Sequence, residues 1–124
     1  MKLLTHNMLT SNIIKGVTKG FPLGIQVSKL EEKSVDFNPD FVARMIPKID
    51  WSALKQAASD VGKGDEIPAD IVPQYEQNED FLKKAHHVLM EIEVIEGELV
   101  CPESGRKFPV SNGIPNMLLN EDEV

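Results

Sequence analysis

Pro115 has no backbone N–H, so it cannot stand in a strand that is paired on both sides. It belongs to the run from Ile92 to Leu119, IEVIEGELVCPESGRKFPVSNGIPNMLL, which reads as four short strands and three turns. The proline therefore places Ile114 to Leu119 at the edge of a sheet. Ser111-Asn112-Gly113 predicts the hairpin turn before it, with Asn-Gly the strongest signal. Pro102-Glu103-Ser104-Gly105 predicts another turn, and Arg106 to Val110 a strand with Phe108 and Val110 on one side. Glu96-Gly97 predicts the first hairpin. A two-residue turn there would set Val94 against Leu99 and Ile92 against Cys101, all four on one apolar face.

The predicted edge is apolar as well as open. Met117, Leu118 and Leu119 follow one another, too many for one buried strand face. Such an edge is an aggregation liability for a lone protein and what a strand-adding partner needs. The plainer alternative is that Met117 and Leu119 close the core while Leu118 is an ordinary exposed apolar residue.

Upstream, Lys2 to Thr5 predicts a strand needing sheet partners, and Ile25 to Leu30 a second one, by the alternation of Ile25 and Val27 with Gln26 and Ser28. The pattern then turns helical. Asn38-Pro39 starts a helix whose stripe is Phe41, Val42, Met45 and Ile46, ended by Pro47. Asp50 caps a second helix from Trp51 to about Asp60, and Asn78 a third from Glu79 to about Met90. Residues 61–75 read as a loop. The acidic tail NEDEV, 120–124, reads as a disordered, solvated end. The expected fold class is α+β: a small antiparallel sheet built from both chain ends, 1–34 and 92–124, with a helical insertion over 35–91.

A net charge of −7 over 124 residues argues against a phosphate-backbone binder. No apolar run reaches the roughly 18 residues of a membrane span, and MKLLTHNML is too short and polar for a signal peptide. Cys101 is the only cysteine, so no intrachain disulfide forms, which suits a reducing compartment. Cys101-Pro102-Glu103-Ser104 looks like half of a zinc knuckle, but an alcohol is a poor zinc ligand. His86 and His87 are adjacent on a helix, about 100° apart, and do not converge on one ion. Any of the three histidines could be proposed as the base of a thiol enzyme with Cys101, and none carries a recognisable local motif. Cys101 is therefore expected as a small buried apolar residue, and the His pair as one packed ring and one surface ring. No glycine-rich phosphate loop is present. Catalytic residues are expected to be absent.

Three segments, MKLLTHNML, FNPDFVARMIPKIDW and LVCPESGRKFPVSNGIPNMLL, closely resemble the tRNA methyltransferase activator subunit family, a zinc-ribbon-like family of multifunctional methyltransferase subunits. The resemblance implies a non-enzymatic partner of S-adenosylmethionine-dependent methyltransferases. These modify tRNA, small-subunit ribosomal RNA and the translation termination factor, and they, not the activator, bind S-adenosylmethionine. It implies a heterodimer formed by joining sheet edges, with Ile114, Pro115, Asn116, Met117, Leu118 and Leu119 as partner-binding residues; Phe41 and Met45, on the first helix of the insertion, are this reading's own choice for a second contact. Cytoplasm and nucleus are the implied locations. Members that hold zinc use four cysteines, and those positions correspond here to Ser11, Gly16, Cys101 and Ser104. Zinc is accordingly expected to be lost while the fold remains. The competing reading is a degenerate zinc ribbon that binds nucleic acid directly.

Overall fold

The computed structural model describes residues 1–11 and 14–119; the expectation for the NEDEV tail lies outside them. Four antiparallel strands form one sheet in chain order: β1 (Gly24–Glu32), β2 (Ile92–Val100), β3 (Lys107–Ser111) and β4 (Ile114–Pro115). Helices α1 (Leu3–His6), α2 (Pro39–Met45), α3 (Trp51–Asp60) and α4 (Glu79–His86) pack beside it. Sheet and helices share one buried apolar cluster, in which Leu3, Leu54, Val88, Ile92, Val94, Leu99 and Phe108 are wholly covered.

The helix starts follow from their caps. The side-chain oxygens of Asn38, Asp50 and Asn78 accept hydrogen bonds from the backbone N–H groups of Phe41, Ala53 and Phe81, at 3.1, 3.0 and 3.1 Å. Each cap thereby satisfies a donor that the first helical turn leaves open. α4 stops four residues short of the expected end and runs into a π-helical turn, His87–Glu91, that feeds β2 directly. The loop after α3 contains short 3-10 turns at Gly64–Glu66 and Tyr75–Gln77. Trp51 donates its indole N–H to the Pro68 carbonyl at 3.0 Å and stacks near Phe81, which ties this loop to the helices.

Two sequence expectations fail. Residues Lys2 to Thr5 are not a strand: α1 is a helical turn, and only Lys2 bridges to β2, opposite Glu93. The side chains that it buries are Leu3, His6 and Asn7. Their spacing is helical, but two of the three are polar, so a search for apolar periodicity passes over them. His6 Nε2 lies 2.7 Å from the Leu23 carbonyl, and Asn7 exchanges two 2.9 Å hydrogen bonds with the backbone of Asp50. A strand would point His6 and Asn7 to opposite faces.

Glu96-Gly97 is not a turn either. β2 runs straight through it, with Gly97 opposite Val27 on one side and Val110 on the other. A Cβ on Gly97 would lie 2.3 Å from the Gln26 carbonyl oxygen. Gly97 is therefore glycine because β1 comes close, not because a turn needs a positive φ. Ile92, Val94, Leu99 and Cys101 are all buried as expected, but the first three lie along one strand and Cys101 directly follows it. Ile95 and Ser28 are each skipped in the β1–β2 register. A bulge residue shifts the side-chain parity by one, so Val94 and Leu99, five residues apart, can face the same core.

The other turns stand. Gly105 has φ +77°, and the 102–105 turn is closed by Gly105 N–H to Cys101 O at 3.0 Å. Asn112 and Gly113 both have positive φ, 52° and 76°, the geometry of the tight β3–β4 hairpin. Phe108 and Val110 are buried together.

Candidate functional site

β4 pairs with β3 alone, through Val110 opposite Pro115 and Ser111 opposite Ile114, and is an outer strand of the sheet. It is two residues long, but strand-like alternation continues past it. Ile114, Asn116 and Leu118 are exposed, whereas Pro115, Met117 and Leu119 are partly covered. Met117 and Leu119 pack on the core; Ile114 is 69% and Leu118 80% exposed. The plainer sequence reading thus holds for Met117 and Leu119. Leu118 is exposed as that reading has it, and Ile114 lies exposed on the same edge, with Asn116 between them.

Hydrogen bonds shape this margin. Asn116 N–H bonds back to the Pro109 carbonyl at 2.9 Å and holds the chain against β3. Leu118 N–H bonds instead to the Asn116 side chain at 3.0 Å, a local bond in place of a ladder partner. Pro115 cannot donate on either side. A short edge with a proline is guarded against aggregation while it keeps the apolar side chains of Ile114 and Leu118 outward. Phe41 and Met45 sit elsewhere: α2 packs on α4 and the Tyr75–Gln77 turn, whereas β4 packs on β3. Phe41 is 36% exposed and Met45 half-buried. The sequence reading passed over Met8, 63% exposed after α1, which lies beyond the strand expected over Lys2 to Thr5.

The half knuckle has its own chemistry. Cys101 is 2% exposed and its Sγ accepts the Ser104 N–H at 3.3 Å. Burial pushes the thiol up, but hydrogen bonds from Ser104, Ser11 and the backbone outweigh it and lower it to about 7. The structure therefore brings together three of the four family ligand positions, Ser11, Cys101 and Ser104; the fourth, Gly16, has no side chain. One thiol and two alcohols do not fit a tetrahedral zinc, which takes four nitrogen, sulfur or carboxylate donors. The Glu103 carboxylate accepts Thr18 N–H and Lys19 N–H, at 3.3 and 3.2 Å, and so staples the N-terminal loop to the knuckle. As expected for the His pair, His86 is packed, with Phe37 edge-on at 5.4 Å, while His87 is partly exposed.

Fold and margin together define a class: a small α+β protein whose most exposed apolar feature is a short sheet edge. No described helix is long and apolar enough to cross a membrane. A family model described as Trm112p-like protein matches residues 2–113, and the chain belongs to that family. It is 55% identical over 124 residues to the multifunctional methyltransferase subunit TRM112-like protein of Mus musculus, covering all of this chain and 98% of that one. It is 56% identical over 126 residues to the multifunctional methyltransferase subunit TRM112 homolog A of Arabidopsis thaliana, both chains in full. With the Saccharomyces cerevisiae multifunctional methyltransferase subunit TRM112 it shares 30% over 130 residues, 96% of each chain. The fold matches a chain in the solved E. cuniculi Mtq2–Trm112 complex, responsible for the methylation of the eRF1 translation termination factor. That match has a TM-score of 0.55 at 20% identity over 95% of both chains.

Proposed function

We propose that this chain is a non-catalytic subunit that binds and activates S-adenosylmethionine-dependent methyltransferases acting on tRNA, ribosomal RNA and the translation termination factor. The observation that carries it is the outward pair Ile114 and Leu118 on an unfinished sheet edge, in a chain whose relatives are named as methyltransferase subunits. The margin acts as adhesive: a partner strand laid beside it gains a few backbone hydrogen bonds, each worth about 0.5–1.5 kcal/mol net. Covering Ile114 and Leu118 adds about 25 cal/mol per Å2 of apolar surface, before the cost of association. Backbone pairing depends little on sequence, so one margin can serve several enzymes. The cofactor and the reacting groups belong to the partner. The net charge of −7 leaves RNA contact to the enzyme.

Co-expression with the matching termination-factor methyltransferase tests this reading. A 1:1 complex on size-exclusion chromatography, with methyl transfer well above that of the enzyme alone, is the expected result. Separate elution from every such enzyme would overturn it, and methyl transfer by the isolated chain would overturn the non-catalytic assignment.

A further inference from the structure

A group of titratable side chains lies away from β4, where the end of β1, the loop after α3 and the π-helical turn meet. The His87 ring is flanked by carboxylates on both sides. Its Nδ1 lies 2.9 Å from Glu91 Oε1, while Nε2 lies 3.1 Å from Glu32 Oε1 and 3.2 Å from Glu66 Oε2. Facing a single acceptor, Nδ1 carries a hydrogen and donates it to Glu91. Nε2 must then serve two anionic oxygens at once. One N–H cannot point at both, and Glu66 Oε2, cut off from solvent, makes no hydrogen bond. With Nε2 unprotonated, a lone pair would face both carboxylates. The geometry thus calls for a positive charge among three atoms, and a proton satisfies only one oxygen.

A metal ion would satisfy all three. The donor atoms lie within 4.8 Å of one another. Tetrahedral zinc, with bonds of about 2.0–2.2 Å, sets its donors roughly 3.3–3.5 Å apart, close to the two Nε2 distances. A metal-binding imidazole characteristically donates its far N–H to a carboxylate, which is where Glu91 stands. One imidazole and two carboxylates suit zinc-class ions; magnesium and calcium prefer all-oxygen shells. Clefts of about 320 and 210 Å3 reach the His87 ring from two sides, the first past Glu66 and Lys84, the second past Glu32 and Ser34. The neighbouring nitrogen groups are the Lys63 ammonium, 3.4 Å from Glu32, and the His86 ring, 3.8 Å from Glu91 and bonded to the Val35 carbonyl. Lys83 is engaged by Glu79 and Lys33 by Glu31.

We propose that Glu32, Glu66 and His87 form a binding site for a zinc-class divalent cation, with Glu91 as the positioning residue behind the imidazole. The site shares no residue with the Cys101 knuckle. Its ligands come from the end of β1, the Gly64–Glu66 turn and the residue after α4, so an ion there cross-links sheet and helices.

The test is calorimetric titration of ZnCl2 into the full chain near pH 7.5, with thermal melts alongside. One saturable site per chain is expected, and zinc at 100 times its Kd should raise Tm by roughly 10 °C. His87→Gln and Glu66→Gln should each weaken binding at least tenfold, and Glu91→Gln about tenfold. Cys101→Ser should leave the affinity unchanged. The proposal is overturned if there is no saturable binding, if His87→Gln binds like the parent, if Cys101→Ser abolishes binding, or if MgCl2 raises Tm equally. Should the variants fail to fold, the parent still decides: zinc must move the 15N resonance of His87 Nε2, and an unmoved resonance overturns the proposal.

Discussion

Residues 1–9 and 114–119 are both short, leucine- and methionine-rich segments laid against the central strands, and they meet opposite fates. In the first, Met1, Leu3 and His6 are almost wholly buried. In the second, Ile114 and Leu118 face outward. Apolar content does not separate them. The anchoring polar groups do: His6 on the Leu23 carbonyl, Asn7 clamped to Asp50, and the Met1 carbonyl on the Val94 N–H. The 114–119 segment is held by two ladder pairs and by Asn116. A segment is sealed when its polar groups find buried partners, and it stays available when they do not.

That contrast can be broken by experiment, and the largest effect should come from Leu3→Ala. Leu3 is fully buried, so the variant should lose about 2–5 kcal/mol in urea unfolding, while Leu118→Ala loses under about 0.5 kcal/mol. Equal losses would end the comparison. Asn7→Ala comes next. It strands the Asp50 N–H, while the Asp50 carbonyl keeps the Leu54 N–H, and about 1–3 kcal/mol is the expected cost.

A smaller effect concerns pH. Burial pushes the His6 imidazole down, more than the Leu23 carbonyl and Asp60 raise it. The folded ring resists a proton that the unfolded chain takes up near pH 6.5. The His6 contribution to stability is therefore full above about 6.5 and declines as pH falls below it. The parent should lose more stability than His6→Gln between pH 7 and 5, and parallel curves would refute the assignment. The smallest change in stability sharpens the comparison most. Leu118→Glu should unfold within about 0.5 kcal/mol of the parent yet no longer co-elute with a methyltransferase. A variant that still co-elutes and activates would place the interface elsewhere.

Much of the molecule was legible because it rests on local chemistry. Asn38, Asp50 and Asn78 announce their helices through the caps they form. Asn112-Gly113 announces its hairpin through positive φ, and Pro115 its edge through a missing donor. The errors arose where a residue served a distant one. Gly97 looked like a turn because glycine signals both positive φ and close approach, and only the Gln26 carbonyl beside it decides between them. α1 looked like a strand because its buried face is partly polar. The carboxylates around His87 left no trace, since Glu32 and Glu66 are 55 and 21 positions away from it.

By itself, then, the sequence determined the starts of α2, α3 and α4, two of the three predicted turns, the burial of Cys101 and the position of the unfinished edge. Each of these depends on residues within about four positions of one another. The tertiary structure alone decided that β2 is continuous, that α1 is helical, which residues of 114–119 face outward, and that His87 lies among three carboxylates. Those outcomes depend on what the rest of the chain places opposite a residue, and no local propensity contains that information.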